Sequence, residues 1–272
     1  MNKAEIFAHW KGWATEHGTG LKATTKTPTV KMLELDALSR HLRSAGLGDS
    51  PGRVLEIGCG NGVNCVGLAT AFPHLVFDGV DYVPEMVDAA KATVREKGLD
   101  GRLNFFRGDA LDLNAVEGLS GEYDAVFTDR CFINLNTLDD QLKGIAAASG
   151  KVQKGGHLLM IENSAQTHGM QNLYREYVGL PRRASASYNL FFDEGAILSH
   201  LDALGMTVEI EDFVSLHDLV LYVLVPAVNG GEVDYEHPLV EVATRLSMAI
   251  SAETPNTLGA HGQNRLFHCH KE

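Results

Sequence analysis

Nothing in this 272-residue chain is long and apolar enough to span a bilayer. Its opening, Met1-Asn2-Lys3-Ala4-Glu5, lacks the apolar core of a secretory signal. A cytoplasmic protein without a membrane partner is therefore expected. Positive charge is also scarce, with 23 Lys and Arg against 35 Asp and Glu for a net charge of −12. Such a chain repels phosphate backbones unless it carries a separate basic patch, and its basic clusters, such as Arg182-Arg183, are short. No nucleic-acid partner is expected, whereas a small or singly phosphorylated substrate needs only one or two cations. The four cysteines, Cys59, Cys65, Cys131 and Cys269, form no Cys-x-x-Cys pair and read as reduced, mostly buried thiols. His268 and His270 would share one face of a strand, but residues 265–271 also read as a plain final strand, and no metal is expected. Repeats, low-complexity tracts and flexible linkers are missing, which points to caps built onto one domain, as a monomer or homodimer.

What is present is an ordinary globular composition, 44% hydrophobic and 21% charged, with one informative stretch. The run Val54-Leu55-Glu56-Ile57 enters a loop with glycine at 58, 60 and 62, and Val63, Val66, Leu68 and Ala69 then read as a helix. Strand, tight turn and helix start form the nucleotide-binding opening of a doubly wound sheet. The glycines allow close backbone approach, and the helix start offers free N–H groups to an anion. A dinucleotide fingerprint needs glycine at 63, which is Val. Asp81 ends the next apolar run, where an acid accepts both ribose hydroxyls.

With Glu56 before the turn and Asp81 after it, the stretch resembles motif I and the acidic loop of class I S-adenosylmethionine methyltransferases. The likeness covers residues 53–213 by order of elements. Its sharp motifs lie at 54–62, 81 and 107–111. It implies a Rossmann-like α/β fold, a doubly wound seven-stranded sheet ordered 3-2-1-4-5-7-6 with strand 7 antiparallel. Leu21-Lys22-Ala23-Thr24-Thr25-Lys26-Thr27 and residues 163–175 also look like methyltransferases found beside bacterial polysaccharide and capsule genes.

Patterning predicts helices over 4–13 and 30–45, then strands at 53–58, 76–81, 103–108, 123–129, 156–162 and 206–213. Helices at 62–72, 84–98, 138–152 and 193–204 alternate with them. Residues 220–225 read as strand-like, but 265–271 is the better last strand, which leaves 214–262 as an insertion with a helix at 238–251. Residues 1–50 form an N-terminal helical cap and 51–272 the methyltransferase domain, with 163–190 and 214–262 capping the substrate.

The resemblance assigns cofactor contacts to Glu56, Gly58, Gly60, Asn61, Gly62, Asp81, Tyr82, Met86, Asp109, Ala110, Leu111 and Asp129. An alcohol acceptor needs a base, for which His168 and His217 leave the correct sheet edge. Substrate contacts are expected from Lys22, Lys26, Arg130, Asn163, Gln166, Gln171, Asn172, Arg175 and Tyr188, which read hydroxyls, amides and anions. Trp10 and Trp13 are expected to anchor the cap helix to the body. The expected activity is methyl transfer from S-adenosylmethionine, yielding S-adenosylhomocysteine, to an oxygen of a small sugar, sugar nucleotide or phosphorylated metabolite. The alternatives are an NAD-dependent oxidoreductase on a similar sheet, a non-catalytic S-adenosylmethionine-binding protein, and an RNA methyltransferase.

Overall fold

A computed structural model describes residues 1–25 and 27–272. Helix α1 (Lys3–His17) opens on a capping box: Asn2 Oδ1 accepts from the Glu5 N–H, and Glu5 Oε2 accepts from the Asn2 N–H. Helix α2 (Pro28–Leu42) starts on a proline whose fixed φ suits a first turn. Strand β1 (Gly52–Ile57) buries Val54, Leu55, Glu56 and Ile57, as a central parallel strand covered on both faces must.

Strand β1 pairs in parallel with β2 (Leu75–Asp81) and β4 (Tyr123–Asp129). Beyond β2 lies β3 (Leu103–Arg107), and beyond β4 lies β5 (Val152–Asn163). The edge strand is β6 (Met206–Glu211), and β7 (Asn264–Lys271) runs antiparallel between β5 and β6. The order is 3-2-1-4-5-7-6, as the resemblance implies. The direction of winding reverses between β1 and β4, which is where open α/β sheets hold ligands.

Alternate side chains feed two cores. Val54, Phe77, Phe127 and Leu159 pack with α2, α3 (Val63–Ala71) and α4 (Pro84–Lys97). Leu55, Ile57, Val126 and Leu158 pack on the other face with α5 (Leu138–Lys151), and α7 (Glu194–Ala203) joins that layer. The polar segment at 163–189 contains α6 (Ala165–Tyr177), capped by Ser164, whose Oγ accepts from the Thr167 N–H at 3.2 Å. Residues 178–192 then return as an irregular strap.

The strand-like stretch at 220–225 is helical. Helix α8 (Ser215–Leu219) continues through wide turns at Val220–Leu224 into α9 (Val225–Val228). The antiparallel β7 already fills the gap between β5 and β6. A buried backbone without a strand partner must bond within itself. Leu221, Tyr222 and Val225 bury themselves with Val240 of α10 (Pro238–Glu253). On the opposite side, Arg40 donates to both carboxylate oxygens of Glu211 at 2.9 Å, and His41 Nε2 lies 2.6 Å from Glu211 Oε2. These contacts fix α2 against the sheet, and α2 carries charge into the site. No described helix is long and apolar enough to cross a membrane.

Candidate functional site

Strand β1 ends at Ile57 and the chain turns through Gly58-Cys59-Gly60-Asn61-Gly62 into α3. Gly60 has φ 51°, and a Cβ there would lie 2.6 Å from Thr24 Cγ2, so only glycine fits the turn under the N-terminal segment. Asp81 ends β2 and accepts the N–H of Gly60 on Oδ2 and of Val83 on Oδ1, each at 2.9 Å. Burial pushes its carboxyl up to about 6 against these two donors. Burial likewise pushes Glu56 up to about 8, although Cys65 Sγ (3.0 Å) and Asn64 Nδ2 (2.7 Å) donate to it.

These residues border one cavity of about 460 Å³. Of the expected cofactor contacts, Glu56, Gly58, Gly60, Asp81, Tyr82, Met86, Ala110 and Asp129 line it. Asn61, Gly62, Asp109 and Leu111 are not in its wall. Asn61 Nδ2 ties down the N-terminal segment by donating to Gly18 O (3.0 Å) and Gly20 O (2.9 Å). Gly62 packs against Phe105 and Ala90. Asp109 accepts from the Leu111 N–H at 3.0 Å and pairs with Lys3 at 2.7 Å. Trp10 and Trp13, expected only to anchor α1, border the cavity as well, and Trp10 Nε1 also donates to Asn134 Oδ1 at 3.2 Å.

At the end of β4 four charges meet, those of Lys31, Glu34 and Asp129 buried and that of Arg130 partly so. Lys31 Nζ lies 2.5 Å from Asp129 Oδ2, 2.7 Å from Glu34 Oε2 and 2.8 Å from Asn64 Oδ1. Arg130 Nε lies 2.8 Å from Glu34 Oε1. Burial would raise the Asp129 carboxyl, but Lys31 and Arg130 outweigh it and hold it at about 2. Asp129 Oδ1 is buried and accepts no hydrogen bond among the described residues. Arg130 itself has φ 55°, and the turn that holds it is fastened by Glu162. The Glu162 carboxylate accepts from Thr128 Oγ1 (2.8 Å) and from the N–H groups of Phe132 (2.9 Å), Ile133 (3.1 Å) and Cys131 (3.2 Å).

The cavity continues past Asp129 to Asn163, Asn264, Gln263, Asp218, Tyr222 and Arg183. Of the expected substrate contacts, Arg130, Asn163 and Tyr188 border it. Gln166, Gln171, Asn172 and Arg175 do not. They support the strap or its surroundings, because buried donors and acceptors on α6 need partners and the adjacent chain supplies them. Asn172 bonds both the N–H (2.8 Å) and the carbonyl (3.0 Å) of Arg183, and Arg175 donates to Pro181 O and Tyr222 O. Gln171 Oε1 accepts from Arg183 Nη1 at 2.7 Å, and Gln166 bonds Asp193 and the Glu194 N–H. Lys22 is exposed and away from the cavity, and Lys26 lies outside the described residues.

Neither expected base borders the cavity. His168 packs edge-on against Phe191, which does. His217 is fully buried, but its Nδ1 lies 2.9 Å from Asp218 Oδ1, and Asp218 reaches the cavity wall. Residues that sequence reasoning passed over are thus Lys31, Glu34, Glu162, Arg183, Asp218 and Tyr222. Charges three apart within the apolar face of α2, and a glutamate closing the apolar run of β5, were the available signals for the first three.

A model of the methyltransferase domain family matches residues 54–156. Demethylmenaquinone methyltransferase of Deinococcus radiodurans is 30% identical over 147 residues, covering 53% of this chain and 57% of that protein. Ribosomal RNA small subunit methyltransferase C of Escherichia coli is 25% identical over 166 residues, covering 60% of this chain and 46% of that protein. The chain therefore spans about half the length of these curated relatives. Among solved structures, magnesium protoporphyrin IX methyltransferase from Synechocystis PCC 6803 with bound S-adenosylhomocysteine superposes with a TM-score of 0.62 at 14% identity, covering 100% of both chains, and so shares the fold. Residues 54–156 thus match a methyltransferase domain, on the strand order and with the glycine turn facing Asp81 that the resemblance to class I S-adenosylmethionine methyltransferases implies.

Proposed function

We propose that the protein transfers the methyl group of S-adenosylmethionine to an oxygen of a small polar acceptor, of the sugar, sugar-nucleotide or phosphorylated-metabolite kind. The main support is that the cofactor side and the polar far side form a single cavity, walled by the N-terminal segment, the strap and the insertion before β7. Enclosure from three directions suits a small molecule. The net charge of −12 disfavours a ribosomal RNA acceptor, although ribosomal RNA enzymes are among the relatives.

The residues fit the cofactor. Asp81 suits two ribose hydroxyls, and Gly58 and Gly60 leave bare backbone beside it. Asp129 Oδ1, which faces Arg130 Nε at 3.5 Å but accepts no hydrogen bond among the described residues, suits the ammonium of a methionyl end. S-adenosylmethionine brings an activated sulfonium methyl, so the chain chiefly aligns the acceptor and excludes water. An alcohol must also lose its proton. We assign that proton to Asp218, whose Oδ2 accepts from the Gln263 N–H at 2.7 Å and whose Oδ1 faces His217 as a positioning residue. Asn163 and Tyr188 border the same cavity and offer neutral hydrogen-bonding groups to the acceptor.

Calorimetry with S-adenosylhomocysteine, and mass spectrometry of labelled methyl groups in a metabolite extract, test this. Micromolar binding and label on a small metabolite are expected. Asp218→Asn should bind S-adenosylhomocysteine within about threefold of wild type while losing roughly 10²-fold in transfer. No binding, or label only in RNA, overturns the reading.

A further inference from the structure

Among the described residues bordering the cavity, Lys31, Arg130 and Arg183 carry permanent positive charge. Glu34 and Asp129 neutralise the first two. Arg183 has no carboxylate partner among the described residues. Its Nη1 donates to the neutral Gln171 Oε1 at 2.7 Å and, at 3.5 Å, to Gln263 Oε1. Its guanidinium carbon lies 3.5 Å above the centre of the Tyr222 ring. The nearby carboxylate, Asp218, is engaged by His217 and the Gln263 N–H.

The guanidinium is also held in place. Asn172 bonds the Arg183 N–H and carbonyl, and Arg175 clasps both Pro181 O and Tyr222 O. Adjacent Arg182 points to the surface, where Glu176 takes it at 3.0 Å. The positive field of Arg183 is felt locally: together with burial, which is the larger cause, it lowers His168 and Arg175 below their ordinary ranges. A stacked, braced guanidinium in a cavity, with Nε and Nη2 bonded to no described protein acceptor, is built to take a planar or tetrahedral oxyanion.

We propose that Arg183 anchors an oxyanion group of the acceptor, a carboxylate or phosphate monoester, and so selects anionic acceptors. This rests on the cavity being a joint cofactor and acceptor site. The test uses wild type, Arg183→Gln, Arg183→Lys and the control Arg182→Gln, each checked for cooperative unfolding. Affinity for S-adenosylhomocysteine is measured first. The saturated complexes are then titrated with inorganic phosphate and with benzoate.

Wild type and Arg182→Gln should bind at least one probe. Arg183→Gln should bind it about tenfold more weakly or not at all, and Arg183→Lys should fall between, since it keeps the charge and loses the fork. Affinity for S-adenosylhomocysteine should stay within about threefold throughout. Equal anion binding by Arg183→Gln, or no anion binding by wild type, overturns the proposal. A tenfold loss of S-adenosylhomocysteine affinity in Arg183→Gln also overturns it, by moving the residue to the cofactor's own carboxylate. Failure of wild type to bind S-adenosylhomocysteine overturns the cofactor reading, and the acceptor assignment with it.

Discussion

Lys31 Nζ sits 2.5 Å from Asp129 Oδ2, joining a helix that precedes the sheet to the end of its fourth strand. Both side chains are almost wholly buried, so each neutralises a charge that is poorly solvated. Lys31→Met strands Asp129 beside Arg130 alone and should destabilise the protein by about 3 kcal/mol in urea unfolding. The double variant Lys31→Met/Asp129→Asn should recover part of that loss. A single variant as stable as wild type would show that the pair contributes nothing.

Cofactor affinity should depend on pH through Asp81. Burial pushes its carboxyl up to about 6 without ligand, and ribose hydroxyls donate more strongly to the ionised form. Binding therefore releases the proton, and affinity for S-adenosylhomocysteine should rise roughly tenfold from pH 5 to 7.5. Asp81→Asn should flatten the profile and weaken binding at neutral pH. A wild-type affinity that falls over this range would contradict the assignment.

Stability without ligand should run the opposite way. Glu56 and Glu162 titrate near 8 and 7 in the folded chain because burial disfavours their charged forms. Between the unfolded carboxyl range and those values, the folded state holds protons that the unfolded state has released. The free energy of unfolding should therefore fall as pH rises from 5 to 8. Glu56→Gln should make the fall shallower across pH 5–7 and remove most of it above pH 7, read from urea titrations at each pH.

Gly60→Ala should cost about 1–2 kcal/mol, because φ is positive and the new methyl meets Thr24. It should also weaken S-adenosylhomocysteine binding by more than about tenfold, since the turn must shift out of its present path. Thermal unfolding and calorimetry report the two effects separately.

Asn172→Ala removes both hydrogen bonds that clasp Arg183 in the strap. Trypsin should then cut after Arg182 or Arg183 about tenfold faster, while the unfolding midpoint changes little. Unchanged proteolysis would mean that Arg175, through Pro181, suffices to hold the strap.

Much of this protein is legible in its sequence because the governing physics is local. The glycine turn and the helix that follows it are set by backbone freedom within a dozen residues. Asp81 is readable because an acid ending an apolar run has one place to go, the carboxyl end of a buried strand. Alternating strand and helix patterns give the sheet. They offered both 220–225 and 265–271 as short apolar runs and favoured 265–271 as the last strand. The sheet order bears this out, with β7 at Asn264–Lys271.

The acceptor half is not legible in that way. On α6 the sequence places amides and an arginine that read as substrate donors, yet tertiary packing commits Gln171, Asn172 and Arg175 to a strap six to twelve residues away, Asn172 and Arg175 through its backbone and Gln171 through the Arg183 guanidinium. His217 and Asp218 are neighbours in sequence, and only the rotation of a short helix decides that the carboxylate borders the cavity while the imidazole is buried behind it. Lys31 and Glu34 meet Asp129 and Arg130 across some hundred residues, a distance at which no periodic pattern carries information. The sequence by itself determined the fold and the cofactor turn, because backbone conformation and burial periodicity are short-range. Only the tertiary structure decided which polar groups face the cavity, because every buried donor and acceptor must find a partner, and which partner is nearest depends on the whole packed chain.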